Sequence, residues 1–120
     1  MYRKLLQGKI HAATVTGAEL EYEGSIAIDA DLLKAAGIVP SESVHVWNLT
    51  NGARFETYVI LSPAGSGEVV VNGAAARTVR KGDRVIIAAF AWLTPDEMAK
   101  HTPSIVFVDD ANRVKVKKSG

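Results

Sequence analysis

Short runs of branched aliphatic residues, cut apart every few positions by Gly, Asn, Asp or Pro, constrain this chain more than any other feature. Val and Ile contribute 14 and 8 of its 120 residues. β-Branched side chains suit a pleated surface and the interrupting residues suit turns, so the pattern predicts many short strands. Strands are expected at residues 8–16, 25–28, 43–49, 54–61, 68–71, 85–90, 104–108 and 114–116. Asp29 can cap a short helix over Ala30–Ala36, which Gly37 ends. Thr94, Pro95 and Glu97 have the spacing of a second helix start. Strands this short and numerous favour a closed barrel, because closure removes exposed edges.

At 120 residues the chain is expected to form a single domain, residues 1–120. A hydrophobic fraction of 48% and a charged fraction of 22% exclude disorder. A net charge of +1 speaks against a nucleic-acid partner, since phosphate binders cluster positive charge. The basic run at 113–118 reads as part of a flexible tail, about residues 113–120. The absence of cysteine removes disulfides, thiolate catalysis and cysteine metal sites. Residues 1–8 carry no apolar stretch of signal-peptide length, and no window approaches a membrane span, so a cytoplasmic location without membrane contact is expected. His11, His45 and His101 are too scattered for a metal motif, and no metal is expected. Asp109 and Asp110 read as a turn, and Asn48-Leu49-Thr50 as a chance glycosylation match.

Asn51-Gly52 is a strong hairpin signal. With a two-residue turn, Leu49 faces Arg54, Trp47 faces Glu56 and His45 faces Tyr58. Alternation then puts Arg54, Glu56, Tyr58, Trp47 and His45 on one side of the sheet, with Phe55, Thr57, Val46 and Val44 on the other. Two readings of the first side stand: an outer surface with a salt link and amphipathic rings, or an anion site in which Arg grips a carboxylate and Tyr supplies a proton.

Several segments, in this order and spacing, carry more than any one of them: Leu6-Gln7-Gly8-Lys9-Ile10-His11, Glu21-Tyr22-Glu23-Gly24-Ser25, Trp47-Asn48-Leu49-Thr50-Asn51-Gly52, Arg54-Phe55-Glu56-Thr57-Tyr58, Val71-Asn72-Gly73-Ala74-Ala75-Ala76 and Gly82-Asp83-Arg84-Val85-Ile86-Ile87. Together they resemble the pyruvoyl-dependent aspartate 1-decarboxylases of bacterial pantothenate synthesis, over residues 1–90 and more loosely through Pro95 and Glu97. The resemblance implies a mainly β fold, a six-stranded double-psi β-barrel with two or more short helices, and a homotetramer with sites between subunits. It also implies a precursor that cleaves itself between Gly24 and Ser25 into residues 1–24 and 25–120.

Cleavage would begin with attack of the Ser25 hydroxyl on the Gly24 carbonyl. A side-chain-free Gly24 would leave that path open and permit turns forbidden to other residues. By resemblance Thr57 supports processing as an oxyanion donor and also meets the substrate. The product would carry a covalent pyruvoyl group made from Ser25, an electron sink that no ordinary side chain offers, with neither pyridoxal phosphate nor metal. L-Aspartate would become β-alanine and CO2. Arg54 then matches the carboxylate binder, Tyr58 the proton donor, Lys9 and Trp47 pocket residues, and Asn72 a polar group near the pyruvoyl end. Gly73, Ala74 and Ala75 match a backbone stretch lining the substrate, and His11 a pocket residue of less defined role. The residues identify no maturation helper. Thr57 and Tyr58 fall on opposite sides of their strand, which calls for a site shared between subunits or for a local bulge. The rival readings are decarboxylation of another amino acid such as glutamate, and a non-enzymatic DNA-binding β-barrel.

Overall fold

The computed structural model describes residues 1–119. Along them run β1 (Arg3–Thr14), β2 (Gly17–Glu19), β3 (Ser25–Asp29), α1 (Ala30–Ala36), β4 (Ser43–Asn48), β5 (Arg54–Ser62), β6 (Val69–Asn72), a 3-10 helix (Gly73–Thr78), β7 (Arg84–Leu93), α2 (Pro95–Lys100), β8 (Ser104–Val108) and β9 (Val114–Ser119). Both α-helices start where side chains can satisfy free N–H groups. The Asp29 carboxylate accepts from the Asp31 N–H at 2.8 Å, and Gly37 ends α1 in the left-handed conformation. Thr94 and Glu97 form a reciprocal capping box at α2.

The strands join in the order β2-β6-β3-β5-β4-β7-β1-β8-β9. The β2 and β1 segments are consecutive in the chain, separated by Val15 and Thr16 alone. There the backbone crosses between neighbours: the Val15 N–H donates to Asp83 O and the Thr16 N–H to Val69 O, both at 2.8 Å. Counted as one bent strand, β1–β2 thus joins β6, β3, β5, β4 and β7 in the six-stranded ring expected, and β8 and β9 extend it. Ile10, Ile26, Ile28, Val46, Val71 and Ile87 fill its centre, all fully buried, with Leu32 and Leu33 of α1 packed into the same core. Each such side chain contributes about 1.5–3 kcal/mol on burial.

Three expectations change. The β4–β5 connection is not a two-residue turn: Trp47 pairs with Arg54, His45 with Glu56 and Ser43 with Tyr58. The Asn48 side chain causes this. Its Oδ1 accepts from the Thr50 N–H at 2.8 Å, while its Nδ2 donates to Asp83 Oδ2 at 2.9 Å, drawing residues 48–53 into a wider loop. The slip is two residues, and an even slip keeps every side chain on its side of the sheet. Second, the strand expected at 114–116 forms as β9 but runs on to Ser119, through residues also read as basic tail, paired antiparallel with β8 and exposed throughout. Gly120, the end of that tail, lies outside the described residues. Third, the short strand β2 and the 3-10 helix were not anticipated.

Candidate functional site

Two groups of side chains converge, one buried and one exposed. The buried group sits where β3 meets β6. These strands pair antiparallel with Ser25 opposite Asn72. Ser25 is 1% exposed and Asn72 5%. Asn72 Nδ2 donates to Ser25 Oγ at 3.0 Å, and that hydroxyl can donate in turn to the Glu23 carbonyl at 3.4 Å. Among the described residues no ionisable group bonds to the Ser25 hydroxyl. On its other side β3 runs parallel to β5 with Ile26 opposite Val59. Carried back one residue, this register sets Ser25 level with Tyr58. Thr57, one residue earlier, pairs with Val44 and is half-buried. Gly73, Ala74 and Ala75 open the 3-10 helix directly after Asn72, so the chain leaves the Ser25 neighbourhood through them.

At Gly24 the special turn allowed for from sequence does not occur, while the space around it is open. Gly24 does not adopt a left-handed backbone, and a Cβ built on it would meet nothing within 4 Å.

The exposed group lies on the outer side of β4, β5 and β7. The Arg54 guanidinium carbon stands 4.7 Å from the Trp47 ring centroid. The His45 ring meets Phe90 edge-on at 5.5 Å and lies 6.4 Å from Trp47. Lys4 Nζ is 5.4 Å from the Phe90 ring. These five residues line an open cavity of about 240 Å³. Beside it Ser43 Oγ donates to Glu56 Oε2 at 2.8 Å. Sequence alternation had brought Arg54, Trp47, His45, Glu56 and Tyr58 to this side, and all share it. Lys4 and Phe90 were missed. Lys4 escaped because β1 was expected to start at Gly8; the 86-88-90 alternation along β7 was the available signal for Phe90.

Lys9 and His11 stand on β1. Ala88 of β7 pairs with Lys9 on one side and with His45 on the other, which sets Lys9 in one row with the exposed group. The His11 ring lies 5.2 Å from Phe107, and its Nδ1 is buried without a hydrogen-bond partner among the described residues. Burial, with the charges of Lys9 and Arg84, pushes the imidazole below its ordinary value, so it is neutral at neutral pH. Among the described residues no group of three or more His, Asp or Glu side chains is arranged to hold a metal.

The β4–β5 ladder runs from Arg54 to Tyr58 without a register shift. A bulge therefore does not explain Thr57 and Tyr58; they face opposite sides of a regular strand. Tyr58 and Arg54, four steps apart on β5, are separated by about 13 Å at the strand rise. Within one chain Arg54 is thus well removed from the level of Ser25.

The small barrel closed through a bent first strand is a double-psi β-barrel. The chain is similar to the crystal structure of the rationally designed mkDPBB_sym_86 protein, with a TM-score of 0.51 over 66% of this chain and 92% of that one, at 17% identity. That likeness concerns the fold alone. The sequence comparisons go further: residues 1–115 match the family model described as aspartate decarboxylase. The chain is 54% identical to an aspartate 1-decarboxylase of Leptothrix cholodnii over 99% of this chain and 91% of that one. It is 58% identical to one of Xylella fastidiosa over 93% of this chain and 89% of that one. The chain belongs to the aspartate decarboxylase family.

Proposed function

We propose that this chain is an aspartate 1-decarboxylase, a carboxy-lyase converting L-aspartate to β-alanine and CO2 for pantothenate synthesis, and that it first cleaves itself between Gly24 and Ser25. The observation that carries the reading is the buried Ser25 hydroxyl, held by Asn72 beside the peptide bond it would attack, in a chain of this family.

The first step is an isomerisation. The Ser25 Oγ–C bond to the Gly24 carbonyl carbon forms, the Gly24–Ser25 C–N bond breaks, and the hydroxyl proton passes to the released amine. Loss of the Ser25 Cα proton expels the Gly24 carboxylate and leaves an alkene at residue 25. Water then replaces the nitrogen, which departs as ammonia. A hydroxyl is a weak nucleophile without a base, so fixed geometry must supply the rate. Thr57 is the proposed donor to the developing oxyanion, the kind of contact worth a few kcal/mol.

The surroundings of residue 25 fit a small uncharged carbonyl group, since they are buried and offer the neutral amide of Asn72 as donor. A pyruvoyl group there supplies the electron sink that decarboxylation requires. The remaining work falls to the chain's own residues. Arg54 binds a substrate carboxylate with its two-pronged guanidinium. Trp47 packs under that guanidinium and limits its motion. Lys9 adds positive charge to the same side, and Tyr58 holds the proton delivered to the substrate carbon. The backbone of Gly73, Ala74 and Ala75 lets the substrate approach closely because their side chains are small. The separation of about 13 Å between Arg54 and the level of Ser25 along β5 argues that one copy's Ser25 works with another copy's Arg54, Trp47 and Lys9. A homotetramer with sites between subunits satisfies this.

Intact mass under denaturing conditions tests the reading. Expected are two fragments, residues 1–24 and 25–120, the larger blocked at its N-terminus and reactive to carbonyl reagents, with Ser25→Ala remaining whole. β-Alanine should form from aspartate and not the corresponding product from glutamate. A wild-type chain that stays whole on warm incubation overturns the cleavage; product from glutamate alone overturns the substrate.

A further inference from the structure

We infer that Gly73 is a positioning residue for self-cleavage: the space left by its missing side chain is the seat of the Gly24 end of the bond that breaks. This rests on the cleavage proposed above and assigns part of its geometry to a residue outside the reacting pair.

Gly73 has φ +80°, in the region that favours glycine. A Cβ built on it would stand 2.7 Å from Gly24 Cα, 2.9 Å from Gly24 N and 3.2 Å from Tyr22 O. Non-bonded carbon atoms settle at about 3.5–4.0 Å. All three atoms are backbone, so no rotamer change relieves the contact; either the segment at Tyr22 and Gly24 moves away or β6 does. The crowding is one-sided, since a Cβ on Gly24 meets nothing.

The residue before Gly73 handles the other half of the reaction. Asn72 donates to Ser25 Oγ at 3.0 Å, and the Asn72–Ser25 pair is the terminal rung of the β3–β6 ladder. Two consecutive residues thus hold both partners of the attack: Asn72 the oxygen that forms the new bond, Gly73 the peptide that receives it. The step needs no co-reactant. Oγ bonds to the Gly24 carbonyl carbon, the C–N bond opens, and the proton moves from oxygen to nitrogen. It depends instead on the approach of Oγ to that carbon, and a displacement of one ångström in such an approach can cost about 100-fold in rate. A methyl group at position 73 forces a displacement of that order.

Gly52 supplies the control. Its φ is also +80°, and a Cβ there would meet nothing within 4 Å. Gly52→Ala therefore carries the same backbone strain without the contact. Cleavage of wild-type, Gly52→Ala and Gly73→Ala chains should be followed by intact mass during warm incubation, with folding checked by circular dichroism and elution volume. The expected result is a wild-type rate for Gly52→Ala and a rate about 100-fold lower for Gly73→Ala. A second readout does not use cleavage. In Ser25→Ala chains, which keep the bond, adding Gly73→Ala should raise amide exchange at residues 22–24 about tenfold and leave β4, β5 and β7 unchanged.

Wild-type rate in Gly73→Ala overturns the inference. So does equal slowing in both glycine variants, which would assign the effect to backbone strain. Failure of Gly73→Ala to fold, in the Ser25→Ala background as well, also overturns it by assigning the residue to the fold. A wild-type chain that never cleaves overturns the underlying reaction, and is distinguishable because it needs no variant to observe.

Discussion

Ser25 and Arg54 sit in opposite physical surroundings. Ser25 is almost wholly buried, and among the described residues its hydroxyl bonds only to neutral partners, the Asn72 amide and the Glu23 carbonyl. Arg54 is exposed, stacked on Trp47 within a groove that also holds Lys4 and His45. Rearranging a bond within the chain requires a fixed approach, and burial removes the water that would compete for the hydroxyl. Capturing a charged molecule from solution requires an accessible cation, and burying Arg54 unpaired would cost several kcal/mol. Under the proposed reaction one barrel would meet both demands by setting Ser25 level with Tyr58 of β5 and Arg54 about 13 Å further along that strand.

The difference can be broken by variants that act on one region alone. The largest expected effect is at the exposed one. Arg54→Ala should lower kcat/KM for aspartate about 100-fold, the loss of a charged hydrogen-bonded pair, while cleavage followed by mass keeps its wild-type rate. Slowed cleavage in that variant would show that the regions are coupled. Asn72→Ala acts on the buried region. It should slow cleavage about tenfold, the equivalent of one hydrogen bond, with the fold retained by circular dichroism.

The smallest effect comes from the far end of β3, where Asp29 pins the strand that carries Ser25. Burial pushes its carboxyl up, but the N–H groups of Gly67, Asp31 and Gly65 and the charge of Arg113 outweigh burial and hold it below the usual carboxylate range. A depressed carboxyl stabilises the fold fully above its unfolded pKa and loses that contribution as pH falls through the folded value. Asp29→Asn should therefore destabilise by about 1–2 kcal/mol at neutral pH, lowering Tm by several degrees, and the gap from wild type should close in acid. A gap that stays constant across a pH series of thermal melts would refute the role of charge.

The sequence carried local structure well. Asp29 and Gly37 bounded α1 because a cap and a left-handed stop act within a few residues. Alternation sorted Arg54, Glu56 and Tyr58 from Phe55 and Thr57 because side-chain period is intrinsic to an extended backbone. The ordered motifs across residues 1–90 carried the family. The β4–β5 register was not legible, because the Asn48 side chain that widens the loop is held by Asp83 and Thr78, 35 and 30 residues away. β2 is too short for a period to register, and the 3-10 helix of small residues shows no face. The seat of Gly24 on Gly73 was hidden for the same reason: it exists only once β3 and β6 pair. Local composition acts through neighbouring backbone and side-chain geometry, and so it determined the elements and their sides. Which distant segments touch, and how far Arg54 stands from Ser25, depends on how the barrel closes, and the tertiary structure alone decided that.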